Sequence, residues 1–189
     1  MGKFYPFVFF ILFCTACNQI PSTQDLDSDI GKLDKALKIA SESSEKYTGG
    51  LVKTLIEVRR QILITTRAML DQKRSAFKRF IPIKYEIDGR AYDPPQDKEN
   101  LLMNIRNEIE KTENEIADAE RENNKYSGGL IKSMIAVRIE TLNNTLAFLK
   151  QRELLLKYDI PYYASLPNNG DTEKGAGFKT TPGKDVDKF

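Results

Sequence analysis

The chain has no histidine and no tryptophan among its 189 residues. Histidine is the commonest general base and the commonest metal ligand in proteins. Its absence excludes the Ser-His-Asp and Cys-His hydrolases and the usual His-ligated zinc enzymes. No other set of residues stands out as a catalytic constellation. We therefore expect no enzymatic activity, no catalytic residue, no metal site and no cofactor.

Cysteine is almost as scarce, since the only two, Cys14 and Cys17, lie within the first 17 residues. The rest of the chain therefore cannot contain a disulfide framework. An excess of charge of one sign is also missing, because 29 Lys and Arg residues balance 27 Asp and Glu residues. Such a balance gives no general basic field, so we expect no nucleic-acid partner.

The N-terminal segment has the layout of a secretory signal. Lys3 precedes an apolar run over residues 4–13, and the small residues Thr15 and Ala16 lead to Cys17. The run is about half of the roughly 20 residues that a membrane-spanning helix needs. The segment resembles the signal peptide and lipobox of bacterial lipoproteins, although Cys14 stands where that family usually has Leu, Val or Ile.

The resemblance implies that residues 1–16 are removed and that Cys17 is lipidated, so that a membrane holds the mature chain by its first residue. Asn18 follows the cysteine. An Asp there retains enterobacterial lipoproteins at the inner membrane, so the resemblance favours the cell envelope, at the outer membrane facing the periplasm. An ordinary cleaved signal peptide and an uncleaved anchor are the alternatives.

The body of the chain repeats itself at a spacing of 79 residues without gaps. Lys46-Tyr-Thr-Gly-Gly-Leu51 recurs as Lys125-Tyr-Ser-Gly-Gly-Leu130, and Ile81-Pro82 recurs as Ile160-Pro161. Unrelated helices would not share both segments in one register. We interpret residues of about 30–83 as copy one and of about 109–162 as copy two of an internal duplication.

Each copy has the apolar periodicity of two helices. The first helix of each copy shows the 3–4 spacing of a coiled-coil seam, and its charged remainder places it on the outside. The second helix has a wider apolar stripe that should face more than one neighbour. In copy two we expect the core to contain Leu130, Ile131, Met134, Ile135, Val137, Leu142 and Leu149. The fold class is therefore all-α, with two tandem helical hairpins packed as a helical bundle.

The segments around the bundle have a different composition. The alternation of Ile83, Tyr85 and Ile87 before Asp88-Gly89 predicts a short β-hairpin insert over 84–97. Ile-Pro should end each long helix. Residues 17–28 are interpreted as a tether, 29–166 as the bundle, and the polar tail 167–189 as disordered.

The two Gly-Gly segments are the candidate sites, as turns or ligand loops, with the residues Lys46, Tyr47, Gly49, Gly50, Lys125, Tyr126, Gly128 and Gly129. The simplest interpretation is a helix–helix turn in which a glycine takes φ > 0 and Thr48 or Ser127 caps the next helix. The tyrosine would then pack on the neighbouring hairpin. A continuous helix with close packing at the glycines, and an anion-binding loop, are the alternatives.

Basic residues lie among apolar neighbours on the long helices and at the end of the first long helix. Arg59 and Arg138 occupy equivalent positions among apolar neighbours, where ion pairing or snorkelling is expected. The end of the first long helix is basic, which complements the helix dipole or contacts anionic lipid head groups. Its residues are Lys73, Arg74, Lys78 and Arg79.

Together these features predict a lipid-anchored envelope protein that acts as a non-enzymatic interaction or structural module for an envelope protein partner. One alternative is an immunity or exclusion lipoprotein, which blocks a toxin or an invading element. A less favoured one is an enzyme that acts on cell-wall glycan or peptide with carboxylates alone. An exposed apolar patch would favour a binding protein, whereas a deep cleft with two carboxylates would favour the enzyme.

Lipidation at Cys17 is directly testable. Intact-mass analysis of the detergent-extracted protein should show the loss of residues 1–16 and the added mass of acyl chains. Each buried CH₂ contributes roughly 0.8 kcal/mol, so two or three chains would hold the protein firmly in a membrane. An unmodified Cys17, or a retained Met1, would contradict the anchor.

Overall fold

The computed structural model describes residues 22–87 and 90–161. Four helices account for most of them: α1 Thr23–Glu45, α2 Gly50–Lys78, α3 Lys98–Asn123 and α4 Gly129–Lys157. Two short strands, β1 Glu86–Ile87 and β2 Arg90–Ala91, pair antiparallel between α2 and α3. The prediction of an all-α bundle with a small β-hairpin is confirmed. Residues 1–16, Cys17 and the tail 167–189 lie outside the described residues.

The duplication is visible in the second helix of each copy. Both α2 and α4 contain 29 residues, and their first residues, Gly50 and Gly129, are one repeat apart. Each helix ends in the same way, with a left-handed residue at φ 55° for Phe80 and 53° for Asp159. The next amide then returns to the last turn, as Ile160 N donates to Leu155 O at 2.8 Å. The helices thus stop three residues before Ile-Pro, which corrects the expected stop.

The helices pack in the order α1–α2–α4–α3 among the described residues. The two long helices are therefore central, and α1 and α3 lie outside, as their narrow apolar stripes predicted. α2 and α4 run in the same direction, because Arg59 contacts Glu140 in the first half of each helix, and Leu70 and Leu155 in the second halves belong to one core cluster. Both Gly-Gly loops consequently lie at one end of the bundle.

The larger core cluster joins both copies. It combines α1 and α2 with the C-terminal end of α4, and its members are Leu26, Ile30, Leu33, Ala40, Leu63, Leu70, Leu155, Tyr158 and Ile160. A smaller cluster of Ile105, Ile109 and Leu149 lies between α3 and α4. Burial of one Leu or Ile side chain contributes about 1.5–3 kcal/mol. Neither copy alone contains the whole of the larger cluster.

The tether is shorter than the sequence indicated, because α1 begins at Thr23 rather than after residue 28. Ser22 caps the helix: its hydroxyl accepts from Asp25 N at 3.2 Å, and its amide donates to Asp25 Oδ2 at 2.9 Å. Leu26 in the first turn is fully buried. A capping box followed by a buried Leu is a helix start, so the interpretation of residues 23–28 as tether was wrong.

Asp29 links the first helix to the end of the last one. Lys157 Nζ donates to Asp29 Oδ2 at 2.7 Å, and the Tyr158 hydroxyl donates to the same oxygen at 2.8 Å. Lys32 Nζ donates to Oδ1 at 2.8 Å. Burial would raise the pKa of Asp29, but the hydrogen bonds from Lys157, Lys32 and Tyr158 outweigh it and hold this pKa below its ordinary value.

Exposed ion pairs join each outer helix to its inner partner. Arg74 Nη1 lies 3.2 Å from Asp27 Oδ1 in copy one. At the equivalent positions of copy two, Arg106 Nε lies 2.7 Å from Glu153 Oε1. Residue 106 is the counterpart of 27, and 153 is the counterpart of 74, so the pair is retained with its charges reversed.

Replacement of Asp29 tests the link between the copies. Asp29→Asn should lower the free energy of unfolding by about 1–3 kcal/mol at pH 7, because hydrogen bonds to a charged group are lost in a buried place. The folded-state pKa lies below the unfolded value, so Asp29 stabilises the fold above about pH 4 and loses this effect as the pH falls. The difference between the variant and the native chain should therefore shrink in acid.

Denaturation followed by circular dichroism at pH 7 and at pH 3 measures this difference. The control is Asp27→Asn, which breaks an exposed ion pair and should have a much smaller effect. Equal losses for the two variants would show that Asp29 is an ordinary surface charge.

Candidate functional site: the Gly-Gly end of the bundle

The two Gly-Gly segments are helix–helix turns. The first Gly-Gly loop (46–49) joins α1 to α2, and the second (124–128) joins α3 to α4. Gly50 and Gly129 both have φ +88°, a left-handed conformation that favours glycine. A Cβ atom on any of the four glycines would meet nothing within 4 Å, so these residues do not mark close helix packing. The turn interpretation is confirmed, and the continuous helix is wrong.

The expected caps are not formed in these loops. The N-cap residues are Gly49 and Gly128 rather than Thr48 and Ser127, and neither provides a side-chain cap. Lys46 and Lys125 are exposed. Among the described residues neither lysine forms an ion pair, so the anion-binding interpretation still rests on composition alone.

The Gly-Gly end lies opposite the chain ends that the structure describes. Tyr47 of the first loop lines a cavity together with Glu120 and Asn123 of α3 and with Asn124, which follows that helix. Tyr47 therefore faces the neighbouring hairpin across this cavity, and its packing there stays a prediction. The opposite end, which we call the tether end, contains Ser22, the last turns of α2 and α4, and the β-hairpin.

The first turns of α4 expose an apolar surface at the Gly-Gly end. Leu130, Ile131 and Met134 are 77%, 54% and 63% exposed, and we call these three residues the α4 apolar face. Their spacing places them on one side of the helix. The sequence predicted all three as core residues, and this was wrong, because Ile135 is the only buried residue in the first turns of α4.

Copy one does not present the same surface. Leu51, the counterpart of Leu130, is also exposed, but Val52 and Leu55 are half-buried where Ile131 and Met134 are open. The two copies therefore share a sequence pattern and differ in what covers it. An exposed group of large apolar side chains commonly marks an interaction surface.

Arg59 and Glu140 form an ion pair in the contact between α2 and α4. Arg59 Nη2 lies 3.4 Å from Glu140 Oε2, and each side chain is 13% exposed. Burial raises the pKa of Glu140, and the charge of Arg59 opposes this rise. Arg138, the counterpart of Arg59, is more exposed and lies 3.6 Å from Glu122. Of the two expectations for these arginines, ion pairing or snorkelling, the structure shows ion pairing for both.

The basic residues at the end of α2 lie at the tether end. Arg74 and Lys78 both pair with Asp27. The ammonium group of Lys73 lies 5.6 Å from the ring centre of Phe77 and 5.4 Å from that of Tyr85, and burial lowers the pKa of Lys73. Internal partners thus account for three of the four basic residues, and Arg79 is exposed.

Other kinds of site find little support in the described residues. Within 22–87 and 90–161, no group of three or more Cys, Asp or Glu side chains could hold a metal ion. No described helix has the length and hydropathy to cross a bilayer. Cys17 lies outside the described residues, so its role stays a prediction.

No protein-family model, curated protein or solved structure matches this chain.

The Gly-Gly turns lead to a matched test. Gly50→Ala and Gly129→Ala should each lower the free energy of unfolding by about 1–2 kcal/mol, because Ala is strained at φ +88°. Gly49→Ala and Gly128→Ala are the controls, since their φ values of 176° and 178° are extended and their surroundings are open.

Thermal melts of the four single variants measure the effect. The controls should match the native chain or exceed it by less than about 1 kcal/mol. A rise in melting temperature for Gly50→Ala would show that the turn does not have this conformation in solution.

Proposed function

We propose that this chain is a lipid-anchored cell-envelope protein that acts as a non-enzymatic interaction module and presents its Gly-Gly end to a protein partner. The observation that carries this function is the α4 apolar face, which lies exposed at the end of the bundle opposite Ser22, the first described residue. The anchor itself follows from the resemblance of residues 1–17 to lipoprotein signals.

The dimensions of the chain support this orientation. Four residues separate Cys17 from Ser22, and the five Cα–Cα steps between them span at most about 17–18 Å. The tether end would therefore stay close to the membrane. The 23 residues of α1 then extend about 35 Å, which carries the Gly-Gly end away from the bilayer.

The chemistry of the face suits a protein partner. Leu130, Ile131 and Met134 are large apolar side chains, and Met adapts its shape to different surfaces. The polar and charged residues around them would form the rim of such an interface. An immunity or exclusion lipoprotein would use the same face, so the identity of the captured partner separates this alternative from a scaffold.

One pair of carboxylates is relevant to the alternative that the chain is an enzyme. The cavity beside Tyr47 contains the carboxylates of Glu120 and Glu140. However, Arg59 pairs with Glu140, and Glu120 is exposed, so the two carboxylates do not line a deep cleft. The cavity therefore favours binding over hydrolysis.

Crosslinking in the native cell tests the function. A photoreactive phenylalanine analogue in place of Met134 should capture one discrete envelope protein. The matched control is the same analogue in place of Met103, which is similarly exposed, at 55%, but lies near the start of α3 at the tether end. The control should not capture that protein.

A second variant guards against chance capture. Met134→Asp should weaken binding of the identified partner at least tenfold and leave the melting temperature unchanged, because the side chain is exposed. Capture at both positions to the same extent, or unchanged affinity for Met134→Asp, would contradict the proposed function.

A further inference from the structure

A cavity of about 320 Å³ opens at the Gly-Gly end, between the first Gly-Gly loop and the helices of copy two. The cavity is lined by residues that include Tyr47, Glu120, Asn123, Ala136, Ile139 and Glu140. Tyr47 comes from copy one, and all the others come from α3 and α4. The cavity therefore exists only when the two hairpins are packed together.

Copy one shows what fills the equivalent place there. The counterparts of the copy-two positions, 79 residues earlier, are Ser41, Ser44, Glu57, Arg60 and Gln61. Arg60 donates from Nε to Ser41 Oγ at 3.1 Å and from Nη1 to Glu57, and Ser44 donates to the other oxygen of Glu57. A guanidinium group and a carboxylate thus occupy this region and are hydrogen-bonded to each other and to two serines.

Copy two has lost both closing side chains. Ala136 replaces Glu57, and Ile139 replaces Arg60, so neither charge is present. At the same time carboxylates appear at the other positions, with Glu120 in place of Ser41 and Glu140 in place of Gln61. The exchange removes an internal cation and adds carboxylates to the lining of the cavity.

Two acceptor atoms that line the cavity lack hydrogen-bond partners. Asn123 Oδ1 and Glu140 Oε2 are buried and have no hydrogen-bond partner among the described residues. The ion pair of Glu140 with Arg59, at 3.4 Å, is longer than a charge-assisted hydrogen bond. Among the described residues, Arg59 is the only cation that pairs with either Glu120 or Glu140. Buried acceptors without donors cost free energy, which a donor ligand would recover.

We propose that this cavity binds a guanidinium or primary ammonium group in the place that corresponds to the guanidinium of Arg60 in copy one. The carboxylates of Glu120 and Glu140 and the amide oxygen of Asn123 accept its hydrogen bonds, and the ring of Tyr47 offers a cation–π surface. A guanidinium fits better than an ammonium, because its planar set of five donors can serve several acceptors at once.

This chemistry has two possible sources. One is a free small cation such as agmatine, and the other is an Arg or Lys side chain of the protein that docks at the Gly-Gly end. The binding site itself depends neither on the lipid anchor nor on the α4 apolar face. Its test can therefore fail or succeed independently of the proposed function.

The first experiment is calorimetric titration of the full detergent-solubilised chain with methylguanidinium and with methylurea. The two probes have nearly the same shape, but only the first is charged. Methylguanidinium should bind with 1:1 stoichiometry, and methylurea should bind at least tenfold more weakly. Equal affinity for the two probes, or no heat with methylguanidinium, would overturn the inference.

Variants then locate the site. The double variant Ala136→Glu with Ile139→Arg restores the side chains of copy one and should weaken methylguanidinium binding at least tenfold while the melting temperature stays the same or rises. Glu120→Gln, an exposed position, should also weaken binding. The control is Glu113→Gln, an exposed carboxylate of α3 away from the cavity, which should leave the affinity unchanged. Unchanged binding to the double variant would place the cation elsewhere and refute the site.

A third measurement separates the sources. Agmatine and a short peptide with a central Arg are titrated against the native chain and the double variant. Tighter binding of agmatine identifies a free cation, whereas tighter binding of the peptide identifies a partner side chain. Either result supports the site if the tighter ligand no longer binds the double variant. Unchanged binding of both ligands to the double variant would overturn the proposed site.

Discussion

The parallel packing of α2 against α4 is the contact on which the rest of the structure depends. Each of these helices has a stripe too wide for its own hairpin to cover, so each needs the other copy. Because they run in the same direction, both Gly-Gly loops lie at one end and both helix stops at the other. The larger core cluster, the Asp29 hydrogen bonds and the cavity beside Tyr47 all require this arrangement.

Much of the fold could be predicted from the sequence, because local signals determine it. The spacing of apolar residues predicted four helices, the Gly-Gly pairs predicted turns, and Asp88-Gly89 predicted the small hairpin. The exposure of the α4 apolar face could not be predicted in this way. Periodicity shows which side of a helix is apolar, but the number of neighbours that cover it is a tertiary property. Leu130, Ile131 and Met134 match the pattern of core residues and still lie in solvent.

The candidate site shows the same division between local and tertiary information. Alignment of the two copies could have shown that Glu57 and Arg60 become Ala136 and Ile139, and that was an available signal. It could not have shown that Tyr47, from the other hairpin, completes the cavity. It also could not have paired Arg59 with Glu140, since these residues are not equivalent in the repeat and meet only through the contact of α2 with α4. The two copies of this chain thus differ in the region where α3 and α4 face a loop of the other copy.

The reversed ion pairs of the two hairpins have a consequence for which helices of the chain pack against each other. Before the short loops close the hairpins, α1 could pack on α4 and α3 on α2, since α1 and α3 have similar apolar seams. Such an exchange would bring Asp27 toward Glu153 and Arg106 toward Arg74, so that like charges would meet at both contacts. Each exposed pair contributes little by itself. Together they discriminate between the correct and the exchanged assembly, and they do so through repulsion in the wrong one.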